Sequence, residues 1–150
     1  MNEAVSLPVV TVATIVERAG RYLIVDEETS DGVRLNQPAG HLECGESLVA
    51  AAARETLEEA AWRVVPTALI GIYRWQTRSE STTFVRFAFA AEATEAVAGR
   101  TLDTGILRAL WLSYDELARR RHEHRSPLVL RCVDDYRAGR RHSLDVVVEL

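Results

Sequence analysis

Lysine is missing from this 150-residue chain; all 18 of its basic side chains are arginine. Two readings of that gap stand side by side, a codon bias and a preference for planar, bidentate anion binding. Cysteine is scarce as well. Cys44 and Cys132 are too few for a disulfide framework and lack the clustered spacing of a zinc site, so they read as free thiols in a reducing cytosol. No apolar run approaches the roughly 20 residues that span a bilayer. The first residues include Asn2 and Glu3 where a secretory leader would carry basic ones. These absences point to a cytoplasmic protein without a membrane-spanning segment. An excess of one charge is also lacking: the net charge is −4, the pI about 5.6, and acidic and basic residues are interspersed. No field of the kind that draws nucleic acid or an anionic membrane is expected. A phosphate ligand stays open, because a metal ion can mediate its contact with an acidic surface.

What the chain does have is 47% hydrophobic residues, enough at this length for one domain over residues 1–150 with a substantial core. Val9 to Val16 and Arg21 to Asp26 read as strands joined at Ala19-Gly20. A polar stretch from Glu27 to Gly32 follows, and Asn36-Gln37-Pro38-Ala39-Gly40 reads as a loop, since Pro and Gly interrupt both regular patterns. Thr67 to Trp75 and Thr83 to Glu92 predict a second hairpin across the polar Gln76 to Thr82, and Leu110 to Leu112 a short strand. Tyr114 to Arg121 and Pro127 to Tyr136 have helical composition, the latter with Ser126 as its cap and Gly139 just past its end. Hairpins this prominent exclude a purely parallel sheet and predict a mixed α/β sandwich. No internal repeat, low-complexity tract or linker divides it.

The first helix falls in GHLECGESLVAAAARETLEEAAW, residues 40–62, and raises an electrostatic question. At 100° per residue, Val49, Ala53, Thr56, Leu57 and Ala60 share a face that should pack inward. Glu55, Glu58 and Glu59 crowd the opposite arc. Like charges three or four residues apart cost about 0.2 to 0.5 kcal/mol each, and only Arg54 stands close enough in the helix to relieve them. Alanines at positions 50 to 53 leave the first turns with little bulk, room for a large ligand. A divalent cation would turn the repulsion into coordination. Hard carboxylate oxygens select Mg²⁺ or Mn²⁺, which complete their shells with water and substrate phosphates. A carboxylate could then position or deprotonate a water for attack at phosphorus.

Gly40, Glu46, Arg54-Glu55 and Glu58-Glu59 stand at the spacings of the Nudix box, G-x5-E-x7-R-E-U-x-E-E-x-G-U, and the chain resembles the Nudix hydrolase superfamily. Six fixed residues so spaced arise by chance in on the order of one window in 10⁷. The resemblance implies a Nudix-type α/β/α sandwich with a loop-helix-loop motif, and Mg²⁺- or Mn²⁺-dependent hydrolysis of nucleoside diphosphates linked to another group. Carried over by position, it makes Glu55 and Glu59 the principal metal ligands and Glu58 a further one. The carbonyl of Ala39 completes that set, Arg54 orients the glutamates and Glu46 pairs with Arg54. The base differs across the family; Glu58 is the first choice and Glu55 the next. Two positions depart from the pattern. Ala61 replaces the usual Gly, where a left-handed helix end would cost Ala of order 1 kcal/mol, so a different ending is expected. Thr56 replaces a larger apolar residue, which would loosen the packing behind the site.

Beyond the box, Asn36 to Glu43, Arg86-Phe87-Ala88-Phe89-Ala90 and Arg125-Ser126-Pro127-Leu128-Val129 are similar to the NudJ-type phosphatases of that superfamily. This narrower resemblance implies a monomer that releases phosphate from nucleoside di- and triphosphates and from pyrophosphates such as hydroxymethylpyrimidine or thiamine pyrophosphate. Leu35 stands where that group tends to carry Trp. The alternatives are an ADP-ribose or dinucleoside polyphosphate pyrophosphatase, and a Nudix-like nucleotide-binding module without turnover. For the small-molecule substrate, Trp75 is the stacking candidate and Arg125, ahead of a helix N-terminus, the phosphate candidate. Arg86 stands between a phosphate clamp and a structural ion pair. Asp103 is the candidate for a distal carboxylate that adds a ligand or serves as base. The run Arg119-Arg120-Arg121 with His122 and His124 reads as the cationic end of a helix rather than a nucleic-acid patch.

Overall fold

The computed structural model describes residues 6–78 and 81–150, so Asn2, Glu3 and the middle of the turn expected between Gln76 and Thr82 lie outside it. Seven strands form one mixed sheet. The first, β1 (Val9–Arg18), turns at Ala19 and Gly20, whose φ of 51° and 74° suit a tight hairpin, into β2 (Arg21–Thr29). Only Glu17 and Arg18 of β1 pair with β2; earlier in the strand, Val9 to Val16 run parallel to β6 (Thr83–Ala96). β3 (Gly32–Asn36) borders β2, and β4 (Ala39–His41) pairs with β1 at Thr11 to Ala13. The segment expected as a loop is therefore two strands broken only at Gln37-Pro38, because each half finds its own partner strand. β5 (Trp62–Gln76) pairs with β6, and β7 (Ile106–Ser113) with β2. Both are longer than the apolar runs suggested, since their polar ends continue the ladders.

Helices cover both faces. α1 (Leu48–Ala60) lays Ala51 and Ala52, both fully buried, on Val12, Leu69 and Phe89. α3 (Leu128–Arg137) lays Val129, Cys132 and Val133 on Ile15, Ile70 and Ala88 of the other face. A short α2 (Tyr114–Arg119) ends in the arginine run, where Arg120 holds Glu123 at 2.7 Å. Ser126 Oγ accepts the Leu128 N–H at 3.2 Å, and Pro127 already has helical dihedrals. Cys44 is exposed, Cys132 is buried, and both are free thiols. Among the described residues, no helix is long and apolar enough to cross a membrane.

The inward face of α1 differs from the expected one. Ala51, Ala52, Glu55, Thr56, Glu59 and Ala60 are buried, while Val49, Ala53 and Leu57 are only half-buried. The small alanines admit the sheet rather than a ligand. Thr56 causes no looseness: it is fully buried, donates to the Ala52 carbonyl at 2.8 Å and shares a 2.7 Å hydroxyl contact with Thr14 on β1. Ala61 does end α1 in the left-handed conformation, φ 55°, contrary to the expected alternative ending. Its N–H donates to the Leu57 carbonyl, and the neighbouring loop closes the exposed carbonyls, Val97 N–H onto Ala61 at 2.8 Å and Asp103 N–H onto Glu58 at 3.0 Å.

Candidate active site

The box begins where Gly40 has no side chain to spare. A Cβ there would lie 2.1 Å from the Glu55 carboxyl carbon and 2.2 Å from its Oε1, so only glycine lets that carboxylate lie flat against β4. Ser47 then caps α1, its Oγ accepting the Ala50 N–H at 3.0 Å, and Glu149 accepts the Leu48 N–H at 2.7 Å. Both interactions tie down the N-terminal end of the helix that carries the carboxylates.

Arg54 gathers the acidic groups. Its Nε and Nη2 donate to the two oxygens of Glu46 at 2.9 and 2.6 Å, and its Nη1 to Glu55 Oε1 and Glu58 Oε2 at 3.0 Å each. Nη2 also reaches the His41 carbonyl at 3.1 Å. The fork on Glu46 is the main reason that carboxyl sits below the ordinary carboxylate range, and the arginine's own pKa is driven upward by the same pair. Glu46 further accepts the Glu43 N–H, so the guanidinium is fixed from the loop side.

Glu55, Glu58 and Asp103 each present an oxygen within 4.8 Å of the others. The hydrogen bond that the Asp103 backbone N–H donates to the Glu58 carbonyl brings that distant carboxylate to the helix. Burial raises the pKa of Glu55, Arg54 partly opposes the shift, and Glu58 and Asp103 add to it. Glu59 does not join the group of three. Its Oε2 accepts the Ala39 N–H at 2.9 Å, and burial, offset in part by that bond, pushes its carboxyl up to about 8. Hard oxygens, mutual repulsion and a single cationic neighbour form a donor set that fits a divalent cation. Nudix hydrolases generally use one, and these are the residues here that could hold it.

A cleft of about 920 Å³ opens beside β4, lined by Ala39, Gly40, Trp75, Arg86 and Arg125 among others. It brings together the three residues expected to bind substrate. Trp75 stacks on Phe84 at 5.9 Å and 21°. Arg86 alternates with Phe87 and shares the face of Ala88 that packs on α3. It is only 6% exposed, and the groups around it are neutral: Gln37 Oε1 at 3.2 Å, Asn36 Oδ1 at 3.4 Å and the buried Cys132 thiol. No ion pair engages it among the described residues, and its Nε has no partner. Leu35, fully buried in the core, offers no stacking surface.

Glu27 is the cleft residue that sequence reasoning passed over. It looked like the start of a polar connection, yet β2 runs on to Thr29, and a register shift between Asp26 and Glu27 interrupts the pairing with β7. Glu27 lines the cleft and meets Arg125 Nε at 2.9 Å with its side chain only 17% exposed. Burial raises its pKa, and Arg125, Arg86 and Asn36 oppose the rise.

Comparison with known proteins accords with this geometry. The profile of the NUDIX domain matches residues 6–132. The chain is 37% identical over 140 residues to the phosphatase NudJ of Escherichia coli strain K12, covering 93% of this chain and 90% of that one, and to that of Shigella sonnei to the same extent. A solved NUDIX hydrolase from Nitrosomonas europaea superposes with a TM-score of 0.93 at 45% identity, over 96% of this chain and 98% of that one. Box, sheet and relatives agree: the chain belongs to the Nudix family and is a hydrolase of phosphoric anhydride bonds.

Proposed function

We propose that residues 1–150 act as one monomeric, cytoplasmic Nudix domain that hydrolyses nucleoside di- and triphosphates and related pyrophosphates, hydroxymethylpyrimidine or thiamine pyrophosphate among them, releasing phosphate. The observation that carries this reading is the carboxylate group of Glu55, Glu58 and Asp103, adjoining through Gly40 a cleft that holds an unpaired, buried arginine. In this reading Glu55, Glu58 and Glu59 hold Mg²⁺ or Mn²⁺ with the Ala39 carbonyl, and Asp103 contributes a further oxygen. The cation, when bound, neutralises charge on the substrate's phosphates and polarises the phosphoryl oxygen.

The protein's own groups supply the rest. Arg54, fixed by Glu46, keeps the carboxylates from turning away from one another. Glu58, about one-third exposed beside them, accepts the proton of the attacking water, with Glu55 as the alternative acceptor. Arg86 and Arg125 hold the phosphates and Trp75 stacks on the base or heterocycle. The name of the 37% identical relatives, phosphatase NudJ, supports phosphate release rather than cleavage to a nucleoside monophosphate.

The test is a panel of nucleotides and pyrophosphates incubated with Mg²⁺ or Mn²⁺, with the phosphorus products identified. Inorganic phosphate is expected. Nucleoside monophosphate would transfer the chain to the ADP-ribose or dinucleoside polyphosphate pyrophosphatases, and tight binding without turnover to the binding modules. An unchanged rate in Glu59→Gln would remove that residue from the ligand set.

A further inference from the structure

The cleft holds an anion of its own. Glu27 sits among Arg125 at 2.9 Å, the Asn36 side chain and the positive charge of Arg86, the surroundings a phosphate oxygen would seek. Its place follows from β2 itself, which runs on in unbroken register with β3, Glu27 opposite Arg34, while the shift against β7 skips Leu107 on that partner strand. The alternation that sends Leu23 and Val25 into the core places Glu27 on the same face of β2, where it ends the row as a largely buried carboxylate. Arg86 is the independent sign that the place is built for a ligand. A guanidinium 6% exposed, without an ion pair and with an orphan Nε, lines the same cleft. Arg78, Arg86 and Arg125 against Glu27 and Asp31 leave the cleft lining with a single uncompensated positive charge.

We infer that Glu27 is a specificity-determining residue that stands in for a substrate phosphate and competes with it, so that the cleft prefers anions with fewer phosphates. An incoming phosphate must displace Glu27 from Arg125 or lie beside a like charge. That penalty grows with the charge of the ligand, because each further phosphate adds repulsion from the same fixed carboxylate. The inference rests on the reading of this cleft as the phosphate site.

The experiment measures binding of inorganic pyrophosphate and tripolyphosphate by titration calorimetry in metal-free buffer, where turnover plays no part. Glu27→Gln keeps the shape and the hydrogen-bonding oxygen and removes the charge. It should bind both anions more tightly, by about tenfold for pyrophosphate and about threefold more again for tripolyphosphate. Arg125→Gln should weaken both. A gain in one variant and a loss in the other cannot come from general damage to the cleft, and matched melting temperatures confirm that both variants fold. Unchanged or weaker binding in Glu27→Gln, or an equal gain for the two anions, overturns the inference. A chain that hydrolyses nothing but shows these shifts would instead sink the phosphohydrolase reading while leaving this one in place.

Discussion

The two sides of the site are built as opposites. On the α1 side, Glu46, Glu55 and Glu58 surround one arginine, Arg54. On the α3 side, Arg86 and Arg125 lie about one carboxylate, Glu27. Each side is short of its own counterion, and β4 runs between them with Gly40 bare enough to let Glu55 touch it. The deficits match the two components of a metal–phosphate complex, a cation for the first side and phosphate oxygens for the second. The comparison also shows where stability has been surrendered. Buried carboxylates on α1 oppose folding until a cation arrives, whereas on the α3 side Glu27 already meets Arg125 and only Arg86 is left without an ion pair.

The sharpest way to break that symmetry is to neutralise the acidic side. Glu58→Gln and Glu55→Gln are each expected to lower kcat by about 10³-fold, the scale of losing a positioned base or a charged ligand. Glu55→Gln should nonetheless melt at or above the wild-type temperature without metal, because burial and two carboxylates already disfavour its charge. A rate within tenfold of wild type, with Mg²⁺ present, would detach α1 from the chemistry. Gly40→Ala attacks the junction instead. The new Cβ would occupy the place of the Glu55 carboxylate, at 2.1 to 2.3 Å from its atoms. Displacement of that group by about an ångström should cost 10- to 100-fold in kcat with a stability loss near 1 kcal/mol. Equal losses in rate and folding would mean that β4 itself had failed.

Acidity acts on both sides in the same direction, and most strongly on the α1 side. Glu59 has its carboxyl raised from 4.5 to about 8, and Glu55 and Glu27 move in the same direction. A raised carboxyl means that the folded chain binds more protons than the unfolded one. The stability it contributes is complete below pH 4.5 and is lost as pH climbs through 8. Metal-free protein should therefore lose a few kcal/mol between pH 5 and pH 8 in denaturant titrations. Added Mg²⁺ or Mn²⁺ should restore more of it at pH 8 than at pH 5, since cation and proton compete for the same oxygens. A metal-free stability that rose across this range would contradict the buried state of Glu59.

The two sides also differed in how far the sequence revealed them. Arg54, Glu55, Glu58 and Glu59 lie on one helix, so helical spacing gathers them, and the resemblance to the box adds Glu46 from the loop before it. The helix was nevertheless turned, because Ala51 and Ala52 read as missing bulk when their smallness lets α1 settle on Phe89. The α3 side depends on partners far apart in the chain. Arg86 faces the cleft through its place in the β6 alternation, and Asp103 reaches Glu58 through a backbone bond between loop and helix end. Glu27 was passed over for a different reason: it continues the period-two face of Leu23 and Val25, but the polar residues around it read as the start of a connection where β2 in fact runs on to Thr29.

The smallest expected effect lies where α1 ends. Ala61 takes φ 55° in the place the box reserves for glycine, a conformation that strains a side chain by about 1 kcal/mol. The flanking loop holds it there through Val97 and Asp103, and Asp103 is one of the three converging carboxylates. Ala61→Gly removes the strain but adds freedom to the unfolded chain, so the net gain should be about 0.5 kcal/mol, or one to two degrees in Tm. The rate should stay as it is, since the bonds that place Asp103 involve only backbone atoms. A lower Tm would mean that unfolded-state entropy outweighs the strain. A lower rate would be more informative, because it would show that the Ala61 methyl group helps to seat the loop that carries Asp103 to the acidic side.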